Sequence, residues 1–383
     1  MSVLIRQDVV AAAETVVVKV GSRVLAGPDG SLDDTRTAAI ADQIAQLQKA
    51  GRRIVLVSSG AVAAGLGRLG WKRRPTNVAQ LQAAAAVGQS RLIESYNRAL
   101  APHGLSAAQV LLTAEDLRER SRYLNVRNTL LALFRAGAVP IINENDTVAV
   151  EELQISFGDN DRLAALVTNL LRAQLLILLS DVEGVYDRLP TEPGAQVIST
   201  LTDLTAARDE LVHDPDQSGG LRLSTGGMGS KLRAAGIAAA AGENVIIAAG
   251  RRPNVIVDIL AGHEIGTLIL PEGRSVDSRK RWIGWSALPA GRLMLDDGAR
   301  AAVTAQGRSL LAVGIQGVEG DFAKGDVVAL CDPSGVEFAR GLINYDSHQV
   351  QMIAGRPTDH IAELLGHCPY DEVVHRDNLV LLG

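Results

Sequence analysis

Cysteine is almost missing from this chain. Cys331 and Cys368 are the only two in 383 residues, which excludes a disulfide framework and a cysteine-rich zinc site. An excess of positive charge is missing too. The formal net charge is −5 at pH 7, the wrong sign for a general nucleic-acid binder. No apolar run reaches the ~20 residues that cross a bilayer, because charges interrupt the alanine-rich segments. The N-terminus lacks a basic stretch followed by an apolar core of the signal-peptide kind. The seven histidines are dispersed, with no His-Glu-x-x-His pair for zinc. There is no Gly-x-Ser-x-Gly nucleophile elbow, and Gly65-Leu66-Gly67 does not directly follow a strand, so it is a weak dinucleotide signal. What remains is a cytoplasmic protein, 47% apolar and 21% charged, able to bury a core and long enough for two domains.

The first two-thirds of the chain alternate short β-branched runs with longer helical segments. Thr15 to Val20 (TVVVKV), Arg53 to Ser58 (RIVLVS), Val139 to Ile142, Leu175 to Leu179 and Asn244 to Ala249 read as strands. They are almost wholly apolar, as parallel strands buried on both faces must be. Thr35 to Ala50 reads as a helix, with Ile40, Ile44 and Leu47 at helical spacing. This rhythm predicts an α/β fold, a three-layer sandwich with a largely parallel central sheet. After Pro271 the pattern changes to a connector with Trp282 and Trp285, expected to pack between domains. Beyond it come short strands broken by turns such as Gly320-Asp321 and Asp332-Pro333-Ser334-Gly335, which predict a small β-barrel. We divide the chain into a catalytic domain over 1–272, a linker over 273–289 and a C-terminal domain with tail over 290–383.

In a parallel sheet the ligand site lies beyond the carboxyl ends of the strands. The segments there are small or polar: Gly21-Ser22, Ser59-Gly60-Ala61, Asn143-Glu144-Asn145-Asp146 and Ser180-Asp181-Val182-Glu183-Gly184. One more loop stands out, Thr225-Gly226-Gly227-Met228-Gly229-Ser230-Lys231, which runs into the alanine-rich stretch 232–241. Glycines let backbone N–H groups approach an anion, and the helix they open adds the positive end of its dipole. It is not a Walker A loop, since Ser230 precedes Lys231 and Leu232 follows it. The stretch is either a different phosphate cradle or a flexible turn that ends in lysine. Lys19, at the end of the first strand, belongs on the same sheet edge. Two ammoniums converging there would stabilise a transferring phosphoryl group. Gly158-Asp159-Asn160-Asp161 offers amides and carboxylates for a substrate, for Mg²⁺ or for the lysines; alternatively Asp159 or Asn160 caps a helix over 162–171. A phosphotransferase is the class these residues support best.

Seven stretches together carry a resemblance. They are VVVKVGSRVL (16–25), IVLVSSGAVAAG (54–65), LQAAAAVGQSRLI (81–93), VPIINENDTVA (139–149), FGDNDRLAALV (157–167), LLSDVEGVY (178–186) and STGGMGSKLRAA (224–235). The chain resembles the glutamate 5-kinase family of the amino acid kinase superfamily, and its C-terminal segment looks like a PUA domain. The resemblance implies ATP-dependent phosphorylation of the γ-carboxylate of L-glutamate, the first step of proline synthesis. It implies that Lys19 and Lys231 contact the phosphates, with Asp161 orienting them. Ser59, Gly60, Asp146 and Asn160 hold glutamate, with Asp146 on its α-ammonium. Lys19, Ser180, Asp181 and the loop from Thr225 through Gly226, Gly227, Met228, Gly229 and Ser230 to Lys231 line the nucleotide site. Asp159 is the implied participant through Mg²⁺. Ser230 and Ser180 stand where relatives often carry threonine, and both keep the hydroxyl. A homo-oligomer, dimer or tetramer, and coupling to γ-glutamyl phosphate reductase are also implied. The superfamily alternatives are kinases of N-acetylglutamate, aspartate or UMP.

PUA domains occur in RNA-modifying proteins, so an RNA-binding role is the alternative for the C-terminal segment. Residues 290–383 carry seven Lys and Arg against thirteen Asp and Glu, a formal charge of −6. Such a surface repels a phosphate backbone, and no nucleic-acid partner is expected.

Overall fold

The structure is a computed structural model that describes residues 2–27, 30–71, 73–148, 160–188, 190–202, 204, 227–271, 280 and 282–382. The chain divides into two units, residues 1–117 with 121–275, and residues 118–120 with 276–383. Among the described residues no helix is long and apolar enough to cross a membrane.

The first unit is organised by β1 (Thr15–Val20), whose six residues are all buried. It runs parallel to β2 (Arg53–Ser58) on one side and, on the other, to β5 (Leu175–Ser180). Together with β3 (Ala107–Leu112), β4 (Val139–Glu144) and β7 (Asn244–Ala249) they form the parallel run β3-β4-β2-β1-β5-β7. β8 (Thr267–Ile269) pairs antiparallel with β7, and β6 (Thr200–Leu201) completes the sheet beside β8.

Side chains alternate across a strand, and this places the chemistry. Val16, Val18 and Val20 join a core with Ile40, Ile44, Leu92 and Tyr96 from the helices Asp34–Lys49 and Val78–Leu100. Each such aliphatic side chain contributes about 1.5–3 kcal/mol on burial, so a charge at fully buried Val18 would break this layer. Val17 and Lys19 take the opposite face, against the helix Asn160–Leu171. That helix packs in turn on Met228–Ala240, with Asn169 Nδ2 donating to Ile237 O at 3.3 Å. The result is helices on both faces of a mostly parallel sheet.

The helix expected over 35–50 runs Asp34–Lys49, started by Asp33, whose side chain accepts from the Thr35 and Arg36 amides. The helix expected from Arg162 begins at Asn160 instead. Asn160 therefore lies in the first turn, and its side chain serves the site described below.

The second unit holds a five-stranded mixed sheet in the order β10-β9-β11-β12-β13. Its strands are β9 (Gly291–Leu295), β10 (Ile315–Gly320), β11 (Val327–Cys331), β12 (Glu337–Ile343) and β13 (Val374–Leu381). Only β9 and β11 pair in parallel. Leu293, Leu330, Ile343 and Val350 share its core. Two helices accompany these strands, Asp297–Thr304 and Ser347–Ile353. The second opens with a capping box in which Asp346 accepts from the Gln349 amide at 2.8 Å. The turn Trp282–Ser286 belongs to this unit: Ile283 is buried, and Arg340 Nη1 donates to Gly284 O and Ala287 O at 3.1 Å.

Candidate active site

The carboxyl ends of β1, β2, β4 and β5 deliver most of the candidate residues. Lys19 is the penultimate residue of β1, and only 6% exposed. Asp161 sits in the first turn of Asn160–Leu171, and Lys231 in the first turn of Met228–Ala240. Because these two helices pack on each other and the first of them packs on β1, the three side chains meet. Lys19 Nζ lies 2.7 Å from Asp161 Oδ1, and Lys231 Nζ lies 3.2 Å from Oδ2. Ser230 Oγ donates to the same Oδ2 at 3.1 Å. Burial alone would raise the Asp161 carboxyl, but the two ammoniums outweigh it and hold its pKa below the usual carboxylate value.

Among the described residues two buried ammoniums converge on one carboxylate, an arrangement that suits a phosphate. Gly227 caps the Met228–Ala240 helix with no side-chain hydrogen bond, and Met228 and Gly229 follow it at the positive end of that helix. The Ser230 hydroxyl, expected on the nucleotide, is engaged with Asp161.

Asn160 joins a second group. Its Nδ2 donates to Ser59 Oγ at 3.0 Å and to Asn143 Oδ1 at 3.0 Å. Ser59 follows β2, and its amide donates to Val20 O at 3.1 Å, which fixes the loop to the end of β1. Gly60 then starts the helix Ala61–Leu69 with φ 111°, a left-handed conformation that strains any side chain. Asp146, two residues beyond β4, is 8% exposed. Burial pushes its carboxyl up to about 6, and nearby Arg74 draws it back down.

Ser180 ends β5, buried, with Oγ donating to Asp181 Oδ1 at 3.0 Å. Arg23 Nη1 meets Asp181 Oδ2 at 2.7 Å. Burial works to raise the Asp181 carboxyl, but its bonds to Arg23 and Ser180 leave it low. Thr225, Gly226 and Asp159 lie outside the described residues.

Magnesium has no seat among the described residues. None of them forms a group of three His, Cys, Asp or Glu able to hold a metal. Both Asp161 oxygens face lysines and both Asp181 oxygens are engaged. The described carboxylates are thus engaged, and Asp159, the residue implied for Mg²⁺, lies outside the described residues.

Three participants were not singled out in the sequence. Arg74 sits in the Lys72-Arg73-Arg74 run, where a solvated charge is the ordinary reading. Arg23 is visible only once β1 and β5 are neighbours. Asn143 was noticed only as part of a polar segment.

Known proteins match both units. The family model for the Amino acid kinase family covers residues 14–249, and that for the PUA domain covers residues 291–365. The chain is 50% identical to the glutamate 5-kinase of Rhodopirellula baltica, over 98% of this chain and 96% of that protein. It is 47% identical to the glutamate 5-kinase of Trichlorobacter lovleyi, over 98% of this chain and 99% of the relative. The glutamate 5-kinase of Synechococcus elongatus is 48% identical, over 96% of this chain and all of its own length (100%).

Proposed function

The chain belongs to the amino acid kinase family, and within it to the glutamate 5-kinases, and from that premise we propose how its residues divide the work. The protein is a phosphotransferase that moves the γ-phosphoryl group of ATP to the γ-carboxylate of L-glutamate, giving L-glutamyl 5-phosphate for proline synthesis.

The observation that carries the reading is the Asp161 carboxylate held between two buried ammoniums. In phosphoryl transfer the protein does little covalent chemistry and mainly positions and neutralises. The acceptor is ionised at neutral pH, since a Glu-type carboxyl titrates near ~4.3, so no general base is required. The obstacle is repulsion between a carboxylate and a polyphosphate. Lys19 and Lys231 oppose it, one from β1 and one from the Met228–Ala240 helix, on either side of Asp161. Asp161 holds their ammoniums in fixed directions and accepts no proton from the substrate. Preset charge of this kind stabilises the transferring group without reorganisation.

Glutamate takes the neighbouring group. Asp146, buried, receives the α-ammonium, while Ser59 and the loop at Gly60 take a carboxylate. Ser180, Asp181 and the loop at Gly227 to Lys231 take the nucleotide. Mg²⁺ enters as the counter-ion of ATP, held by phosphate oxygens and water. By family resemblance the protein works in the cytoplasm as a homo-oligomer and passes its acyl phosphate to γ-glutamyl phosphate reductase.

The test offers ATP, Mg²⁺ and hydroxylamine with L-glutamate, N-acetyl-L-glutamate, L-aspartate or UMP in turn. Turnover with L-glutamate, trapped as the γ-hydroxamate, is the expected outcome. Turnover restricted to another acceptor overturns the substrate and keeps the phosphate chemistry.

A further inference from the structure

The stretch LQAAAAVGQSRLI (81–93) contributes nothing to the roles above. Gly88 accounts for part of it: a Cβ there would lie 1.7 Å from Ala61 O, so glycine lets Val78–Leu100 close on the helix Ala61–Leu69. That approach brings Gln89 against the end of β4, where its Nε2 donates to Glu144 O at 3.2 Å. A backbone carbonyl can only accept, so this contact fixes which way the Gln89 amide faces, and Gln109 Nε2 then donates to Gln89 Oε1 at 3.4 Å.

Residue Glu144 also donates, through the peptide that precedes it. Its N–H reaches Asn143 Oδ1 at 2.9 Å. A backbone N–H can only donate, so Asn143 must present its carbonyl oxygen there rather than its NH2. The same oxygen accepts from Asn160 Nδ2, and Ser59 Oγ accepts from it as well. Asn160 thus has both N–H bonds committed, and its Oδ1 faces away from them. That oxygen is buried and has no hydrogen-bond partner among the described residues, on a side chain whose residue is 5% exposed. A buried acceptor without a donor is costly, and a ligand that brings an N–H removes the cost.

We propose that Asn143 and Gln89 are positioning residues that fix the polarity of the Asn160 amide, so that the site selects a substrate bearing a free primary ammonium. This rests on the reading of Asp146 as the partner of that ammonium. With the amide in its fixed sense, one carboxylate and one carbonyl oxygen receive the ammonium's protons. With the amide reversed, an NH2 would meet an NH3⁺, and the site would repel its substrate. An N-acylated or deaminated analogue leaves Asn160 Oδ1 or Asp146 without its charged donor. Gln89 acts at one remove: by holding the Glu144 carbonyl it fixes the backbone of the residue whose N–H sets Asn143.

The experiment compares L-glutamate with glutarate, which has the same two carboxylates and no amine. KM for L-glutamate and ATP and the inhibition constant of glutarate are measured for the full chain and for Asn143→Ala, Gln89→Met and Asp146→Asn. For Asn143→Ala the expected KM for L-glutamate rises about tenfold, glutarate inhibition stays put and KM for ATP moves less than about twofold. For Gln89→Met the same pattern is expected at about threefold. A general loss of packing would instead weaken glutamate and glutarate together; that pattern in both variants, or no change in either, overturns the proposal. If Asp146→Asn leaves the preference for glutamate over glutarate intact, the ammonium site lies elsewhere and the underlying reading fails. If Asp146→Asn collapses that preference while Asn143→Ala and Gln89→Met do not, the reading stands and the polarity inference fails.

Discussion

The two units treat charge in opposite ways. The first buries Lys19, Asp146, Asp161 and Lys231 at one edge of its sheet, whereas the only charged residue among the buried side chains described in the second is Asp332. Asp332 spends its carboxylate on its own turn, accepting from the Ser334 hydroxyl at 2.6 Å and the Val336 amide at 3.0 Å. Burial of charge does not by itself mark a site. Arg6 is also buried in the first unit, yet its terminal nitrogens donate to carbonyls, including Ile265 O at 2.9 Å and Gly266 O at 2.8 Å, and it ties the N-terminal helix to the start of β8. What separates the sheet edge from Arg6 is convergence: charged side chains from β1 and from two helices face one another, and an arrangement of that kind suits an anionic ligand.

The largest effect that sharpens this contrast comes from the triad. Lys231→Ala should lower kcat by about 10³-fold or more, with the glutamate KM little changed, in steady-state assays of hydroxamate formation. Asp161→Ala should lose turnover and also stability, by about 3–5 kcal/mol, because it removes the carboxylate that two buried ammoniums share; chemical denaturation measures this. An Asp161→Ala protein as stable as the parent would break the comparison.

Asp146 separates function from stability in the other direction. Its folded pKa of about 6 stands above the ordinary carboxylate value, so the folded chain holds the proton more tightly than the unfolded one. Its contribution to stability is therefore present at low pH and lost as pH rises through about 6. Asp146→Asn removes that loss and should stabilise the protein at pH 7–8 by about 1–3 kcal/mol, while raising the glutamate KM by about 10²-fold. Melting curves and initial rates on the same preparation check both. A destabilised variant with normal glutamate binding contradicts the assignment.

The pH dependence of the parent enzyme is a smaller effect from the same group. An ammonium binds the carboxylate, not the acid. Below about pH 6 kcat/KM for glutamate should therefore fall, approaching tenfold per pH unit, while the KM for ATP stays flat. A matching fall for ATP would mean that the titrating group is not in the glutamate subsite.

Much of this arrangement is legible in the sequence because parallel strands write themselves as apolar runs. β1, β2, β4, β5 and β7 stand out for that reason, and the loops after them name the sheet edge. β6 and β8, of two and three residues, are too short for any period to register. β4 runs two residues past its apolar stretch, since Asn143 and Glu144 continue its register with Leu111 and Leu112 of β3. Lys19, Asp161 and Lys231 could be nominated from their positions beside glycines and helix starts. The direction of the Ser230 hydroxyl could not, because it depends on how closely two helices pack. Arg23 and Arg74 are ordinary surface arginines until the fold supplies Asp181 and Asp146.

The smallest expected effect concerns the second unit, whose family model also occurs in RNA-modifying proteins. RNA affinity rests on cationic contacts that release counter-ions, so it appears as steep salt dependence. Residues 290–383 have a formal charge of −6. Among the described ion pairs there, Arg300 faces Asp332 and Arg340 faces Glu337, which further reduces the free positive charge. A gel shift with the full chain and labelled single-stranded or hairpin RNA at low salt should show no retained band. Tight binding that weakens with salt would give this unit a ligand and end the contrast drawn here, because both halves of the chain would then hold phosphates. Binding by the full chain that survives neutralisation of Lys19 and Lys231 would locate that ligand away from the triad. Loss of the shift in the double variant would return it to the nucleotide site, and the second unit would keep a net negative charge that attracts no anion.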